Sequence, residues 1–277
     1  MTVNVDVLVL PAFDDLEGLP GEAAPWRATY DLERTLRIDG VPTPVRYADR
    51  GNAVVPTGVG KTAATATTTA LLTSDRIDLR GALVLSVGAA GGPPTLPVGS
   101  VVLAETVIDW DDKCRFDPAG DGVPLAMNPY TEGRGRFDLD AELVADARSL
   151  AEGVDLAVPG SERPESDPVV VTGTNLCGDE LWHGHELAEQ VAWLLEAHDA
   201  GPYRATEMED AGTASALERF DRLDQYLSIR GISNHDRPDS GVPASESFFD
   251  PTFESGFELG IENAVAVARA IVDDRLA

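Results

Sequence analysis

Short valine- and leucine-rich runs alternate along this chain with segments of helical spacing, and that alternation limits the available folds more than any other feature. Residues 3–10 alternate and end at Pro11, the pattern of a first strand. Residues 45–48 and 53–56 flank Asp49-Arg50-Gly51 and predict a hairpin. Residues 82–87 are apolar except for Ser86, as a strand covered on both faces requires. Further strands are expected over 100–108, 169–171 and 226–229. Between them lie an Ala/Thr-rich helix to about Leu72 and three sets at helical spacing: Leu139, Leu143, Ala147 and Leu150; Leu187, Val191, Leu194 and Leu195; and Phe257, Ile261, Val265, Ala268 and Val272. The expected fold class is α/β, three-layer α/β/α with a central mixed sheet, as one domain over residues 1–277. Residues 155–167 and 240–253 read as loops. The second holds Phe248, Phe249 and Phe253, which suit it to covering something.

The charge narrows the partners. There are 48 acidic against 21 basic residues, a net charge of −27, and only two of the basics are lysines, Lys61 and Lys113. The acids are spread rather than gathered in a tail. Such a surface repels nucleic-acid phosphates and anionic lipids, so neither nucleic acid nor membrane is an expected partner. Self-repulsion of this size destabilises a compact chain in dilute buffer. At molar salt the Debye length is about 3 Å, which fits a halophilic protein from a high-salt cytoplasm. Cys114 and Cys177 lie too far apart in sequence to suggest a disulfide framework or a zinc site. The first residues show no basic region followed by an apolar one, so no signal peptide is expected. The long uncharged run over 81–104 is interrupted by Gly91-Gly92-Pro93-Pro94 and Pro97-Val98-Gly99, which a lipid-exposed span does not tolerate. A cytoplasmic location is expected.

Three glycine-rich segments follow apolar runs: Thr57-Gly58-Val59-Gly60-Lys61, Val87-Gly88-Ala89-Ala90-Gly91-Gly92 and Thr172-Gly173-Thr174. Read as turns, their backbone N–H groups can hold an anion or a polarised water. Gly58-Val59-Gly60-Lys61-Thr62 lacks the earlier glycine of a Walker-type phosphate loop. Together, Thr57-Gly58-Val59-Gly60-Lys61-Thr62-Ala63-Ala64, Gly88-Ala89-Ala90-Gly91-Gly92 with Leu96-Pro97-Val98-Gly99-Ser100-Val101-Val102, Glu207-Met208-Glu209 and Arg230-Gly231-Ile232-Ser233-Asn234 resemble, in order and spacing, the nucleoside phosphorylase/nucleosidase superfamily. Pro25-Trp26, Asn128-Pro129, Trp182-His183-Gly184, Met208-Glu209-Asp210-Ala211-Gly212-Thr213 and Ser233-Asn234 resemble more closely the purine nucleoside permease family.

The resemblance implies a purine nucleoside partner, a homo-oligomer, and cleavage of the N-glycosidic bond by water or phosphate, hydrolysis slightly favoured. The family's name implies a soluble nucleoside-binding protein assisting uptake as the alternative. Glu209 is the candidate carboxylate for the ribose hydroxyls, with Glu207 and Met208 beside it, and it would steady an oxocarbenium-like transition state. Asn234 is the candidate base contact. An amide donates to O6 and accepts from N7–H but is no general acid, which favours 6-oxopurines. Gly88, Ala89, Ala90 and Gly91 would place the nucleophile. Glu17, in the acidic stretch after the first strand, is the candidate general base. Arg27, Arg50 and Arg230 are candidates to hold phosphate if phosphate is a co-substrate. Trp182 is a candidate to stack on the purine or wall the pocket, and His183 to reach the ribose or base. The pair His183 and His185 lacks a third ligand, so no metal and no organic cofactor is expected.

Overall fold

The computed structural model describes residues 2–14, 21–116, 125–159, 167–239, 241–248 and 252–277. In chain order the strands and helices are β1 (Val3–Asn4), β2 (Val7–Leu10), α1 (Ala24–Thr29), β3 (Arg34–Leu36), β4 (Val45–Tyr47), β5 (Asn52–Val54), α2 (Lys61–Thr73), β6 (Ile77–Asp78), β7 (Leu83–Gly92) and β8 (Val101–Asp109). They continue with β9 (Lys113–Arg115), β10 (Leu125–Met127), β11 (Arg136–Asp138), α3 (Ala141–Ala151), β12 (Val170–Cys177), α4 (His185–Ala197), β13 (Tyr203–Glu207), α5 (Asp210–Arg219), β14 (Tyr226–His235), α6 (Ala244–Phe248) and α7 (Thr252–Arg275).

Ten strands form the main sheet, in the order β11-β8-β12-β13-β7-β2-β5-β4-β3, with β14 paired to both β7 and β8. The sheet is mixed: β14 runs parallel to β7 and antiparallel to β8. Its double pairing closes β7, β14, β8, β12 and β13 into a ring. Successive side chains of a strand leave opposite faces. On β14, Arg230 meets Asp210 at the start of α5, while Gly231 lies against Gly260 of α7. Helices therefore cover both faces, the expected α/β arrangement.

The expected hairpin is β4–β5, and the expected helices are α2, α3, α4 and α7. Two glycine segments differ from expectation. The 88–92 segment is not a turn, because β7 continues through Gly92 and stays paired with β14. Gly173 lies inside β12, at a register shift in its pairing with β8. Here glycine answers crowding: a Cβ at Gly88 would meet the Glu22 carboxylate, and one at Gly173 would meet Arg204 and the Pro202 carbonyl. Only 57–60 turns the chain, with Gly58 and Gly60 at φ +86° and +93°. The 240–253 segment contains α6 and leads into α7.

Most carboxyl ends of the central strands gather at one place. Ala12 and Phe13 follow β2, the 57–60 turn follows β5, and Glu180–Trp182 follow β12; β7, β13 and β14 bring their own last residues. This is the usual ligand position of an α/β sheet. The closest approach behind it is Gly231 to Gly260, where any Cβ would overlap the Gly260 carbonyl. Gly231→Ala should therefore lower stability by about 3 kcal/mol, the upper end for overpacking, read as a shift in the denaturation midpoint at unchanged slope.

Candidate functional site

A cavity of about 180 Å³ opens at these strand ends. Of the residues singled out in the sequence, Glu207, Met208, Glu209, Ala89, Ala90, Gly91, Trp182 and Asn234 all line it. Gly88 lies just beneath, against Glu22 and Arg230. His183 lines instead a larger neighbouring hollow of about 810 Å³ that shares Ser233 and Asn234 with the first. Its Nε2 is 3.2 Å from Ser247 Oγ, and its ring meets Phe248 edge-on. Glu17 lies outside the described residues. Asp14, in the same stretch, pairs with Arg27 at the surface.

Glu22 was not anticipated. It follows Gly21 and precedes Ala23-Ala24-Pro25-Trp26, where α1 begins with Pro25 near its start. The residue is 3% exposed and lines the cavity. Ala12 N donates to Oε2 at 2.7 Å and Ala89 N donates to Oε1 at 2.9 Å. One backbone donor of the 87–92 segment expected to hold an anion, Ala89 N, is thus engaged by a carboxylate of the chain itself, together with Ala12 N. The available signal was an isolated acid among small apolar residues just before the Pro-Trp pair. Burial pushes its pKa up, opposed by Arg230.

Glu207 and Glu209 flank Met208 at the turn from β13 into α5. Glu207 Oε2 accepts from Glu209 N at 2.7 Å and Asp210 N at 3.0 Å, so it caps the two free amides that begin the helix. Glu209 Oε1 accepts from Gly60 N at 2.9 Å, which ties the glycine turn to the site. Between these acids lies Arg230, 1% exposed. Its Nη2 is 2.9 Å from Glu207 Oε2 and its Nη1 is 3.6 Å from Glu209 Oε2, while Asp210 takes Nη2 and Nε. Burial, only partly offset by Arg230, pushes Glu207 up to about 8 and Glu209 up to about 7.

Asn234 owes its position to a β-bulge. Ile232 pairs with Ala90 and Asn234 with Gly91, so Ser233 is the extra residue. Ser233 Oγ donates to Asn234 Oδ1 at 2.8 Å, and Asn234 Nδ2 donates to the His235 carbonyl at 2.9 Å. Two residues on, Asp236 also lines the cavity, and the Arg237 fork donates to both its oxygens. Trp182 is buried against Trp110, ring centroids 5.4 Å apart, which makes it a wall. Leu181 beside it is 61% exposed at the cavity edge. Phe13, Phe257, Phe253 and Phe248 form a chain of ring contacts 5.4–6.1 Å apart along another side. Phe249 lies outside the described residues.

Of the three arginines considered for phosphate, only Arg230 reaches the site, and carboxylates surround it. Arg50 stands in the turn between β4 and β5, at another surface hollow. Lys61, despite its glycine-rich setting, pairs with Asp109 and Asp111 at 2.5 and 2.7 Å.

The fold is that of purine nucleosidases. The 5'-methylthioadenosine/S-adenosylhomocysteine nucleosidase of Neisseria meningitidis, solved with methylthio-immucillin-A, shares 20% identity over 97% of this chain and 98% of its own, at a TM-score of 0.66. Futalosine hydrolase of Helicobacter pylori strain 26695 shares 20% over 99% of each chain, at 0.67. The Colwellia psychrerythraea 34H 5'-methylthioadenosine/S-adenosylhomocysteine nucleosidase, solved with adenine, shares 21% over 100% of this chain and 96% of its own, at 0.64. No curated protein matches the chain. Within that fold the chain belongs to the purine nucleoside permease family, whose model matches residues 4–277. No helix among the described residues is long and apolar enough to cross a membrane.

The raised carboxyls make a prediction about stability. Their folded values, about 7 and 8, lie above the ordinary 4.5, so the fold favours their neutral forms. That contribution is complete below about 4.5 and is lost as pH rises through about 8. Tm should fall across this window, and Glu209→Gln should remove the part of the decline that runs from about 4.5 to about 7. Thermal unfolding of both proteins across a pH series at fixed salt checks this.

Proposed function

We propose that this protein hydrolyses the N-glycosidic bond of purine nucleosides, with 6-oxopurines preferred. The observation that carries the reading is the Glu22 carboxylate, buried on the Ala12 and Ala89 amides and facing the same cavity as Glu209 and Asn234. In a phosphorylase such amides would be free for a phosphate; here a carboxylate engages them, which favours water as nucleophile. Its raised basicity suits it to taking a proton from water.

In this mechanism the ribose hydroxyls bind Glu209, held by Gly60 N and Arg230. The sugar then sits above Ala89 with the purine toward Asn234. As the C1′–N9 bond breaks, its electron pair passes to the purine, and positive charge grows on the sugar. The ionised Glu209 and Glu22 stabilise that charge. A water oxygen bonds to C1′ and gives one proton to Glu22, which later returns it to solvent. Asn234 donates from Nδ2 to O6 and accepts at Oδ1 from N7–H, the purine taking its proton from water. The chain's residues need no metal or organic cofactor for these steps. The acidic surface suits a cytoplasm of high salt, and the family resemblance favours a homo-oligomer.

The family's name favours a second reading, a nucleoside-binding protein that assists uptake. The two separate at Glu22. Inosine, guanosine and adenosine incubated with the protein in molar KCl should yield free base equally with and without phosphate. Glu22→Gln should lower turnover by at least about 100-fold while calorimetric nucleoside binding persists. Binding without base release from the wild type would establish the carrier; release only with phosphate would overturn hydrolysis. Asn234→Asp restores an acid at N7 and should raise adenosine relative to inosine turnover by about 100-fold, read by chromatography of the released bases.

A further inference from the structure

Asp210 has no part in the chemistry above, yet it is the most heavily hydrogen-bonded group beside the site. It is fully buried at the first position of α5, and it does not line the cavity. Five donors converge on its two oxygens. Arg230 Nε reaches Oδ2 at 3.2 Å and Arg230 Nη2 reaches Oδ1; Tyr226 OH reaches Oδ1 at 2.8 Å; Asn175 Nδ2 reaches Oδ2 at 2.7 Å, and Ser228 Oγ reaches the same oxygen. These come from β12 and β14, whose side chains are locked in the sheet. The guanidinium also meets Glu207, which shares Nη2 with Asp210, and Glu209 and Glu22 near Nη1, and these three all line the cavity. Four carboxylates thus share one cation, and only Asp210 is shut away from substrate.

We infer that Asp210 is a positioning residue: it fixes the Arg230 guanidinium and answers its charge from behind, leaving Glu209 and Glu22 as the carboxylates that serve the substrate. Arg230 without Asp210 would turn its full charge on the cavity carboxylates. It would hold them as weakly basic anions and oppose the cationic sugar of the transition state. The directions of titration agree. Burial alone would raise Asp210, but Arg230 and the hydroxyl donors hold it below the usual carboxylate range. Asp210 in turn helps to raise both Glu207 and Glu209. The other titratable groups facing this cluster are Tyr226 and Cys177, both pushed well up by burial, so their charges do not change near neutrality.

The inference rests on the hydrolytic reading of Glu22 and Glu209, and the test separates the two. Asp210→Asn removes one negative charge, so every apparent pKa of the remaining carboxyl set should fall. The acidic limb of kcat/KM should move down by about one pH unit. Infrared absorption of the buried protonated carboxyls reads the same midpoint with no turnover required, and it should move the same way. Ser228→Ala removes a hydroxyl dipole whose positive end faces the cluster, so its midpoint should move up by a fraction of a unit. Opposite shifts in the two variants establish the role. A Asp210→Asn protein that loses activity evenly at all pH, with both midpoints unmoved, overturns it and makes Asp210 a structural residue. If Asp210→Asn does not fold, Ser228→Ala decides: an upward midpoint supports the inference, and an unmoved or downward one overturns it. If the wild type releases no base, the hydrolytic reading fails, and with it the catalytic purpose assigned to Asp210. The infrared midpoints then still decide whether Asp210 sets the charge of the cluster.

Discussion

The burial of Arg230 among Glu207, Glu209, Asp210 and Glu22 is the interaction on which the rest of this structure depends. A guanidinium taken out of water is costly unless its donors are met and its charge is answered. Here one oxygen set comes from the end of β13, one from the start of α5, and one from the segment between β2 and α1. The ion on β14 therefore joins two parts of the chain distant from it and from each other, the β13–α5 junction and the segment before α1. Removing a single carboxylate would leave its donors or the cation unmatched, whereas removing a surface pair such as Arg34–Asp49 would change little.

The cluster also decides how the acidic composition is used. Arg230 has one formal charge against four neighbouring carboxyls, so they cannot all ionise together at low cost. Asp210, with the most donors, stays ionised, while Glu207 and Glu209 move toward neutrality. Their bonds fit that division, because Glu207 meets two amides and an Asn while Glu209 meets one amide. The two lysines of the chain stand at the rim of this region. Lys61 ties the glycine turn to the end of β8, and Lys113 lies over the Trp110 ring at 3.4 Å. Most other charge repulsion is on the surface and subject to salt screening. The buried cluster is shielded from salt, so its balance has to be built from specific donors.

How much of this was legible in the sequence can be read from particular residues. The strands announced themselves through apolar runs, and the later helices through spacing. Glu207, Met208, Glu209, Asn234 and the Ala89–Gly91 segment came from motifs of fixed order, and the fold brings them to one cavity. Periodicity failed where pairing overrode composition. Gly88 to Gly92 read as a turn because five small residues offer little strand propensity; β14 supplies their partners, and crowding from Glu22 and Arg230 at Gly88 and from Ile232 at Gly92 requires glycine at those two positions. Glu22 was hidden for a related reason. Its small apolar surroundings set it apart only weakly from the other acids after β2, and its importance arises from two amides, one of them 67 residues away.

Distance in sequence also hides the state of Arg230, whose residue type alone suits it to hold phosphate. A lone arginine beside a glycine-rich strand is an anion site when its charge is free. Whether it is free depends on what folds back against it, and Asp210 lies twenty residues earlier on another element. Residue type sets what a group can do, and its neighbours set what it is able to do in place. An arginine with its charge already answered no longer recruits a free anion. It becomes a rigid frame that holds carboxylates at defined positions around a small apolar-walled cavity. For a reaction that builds positive charge on a sugar, such a frame is of more use than an open cation.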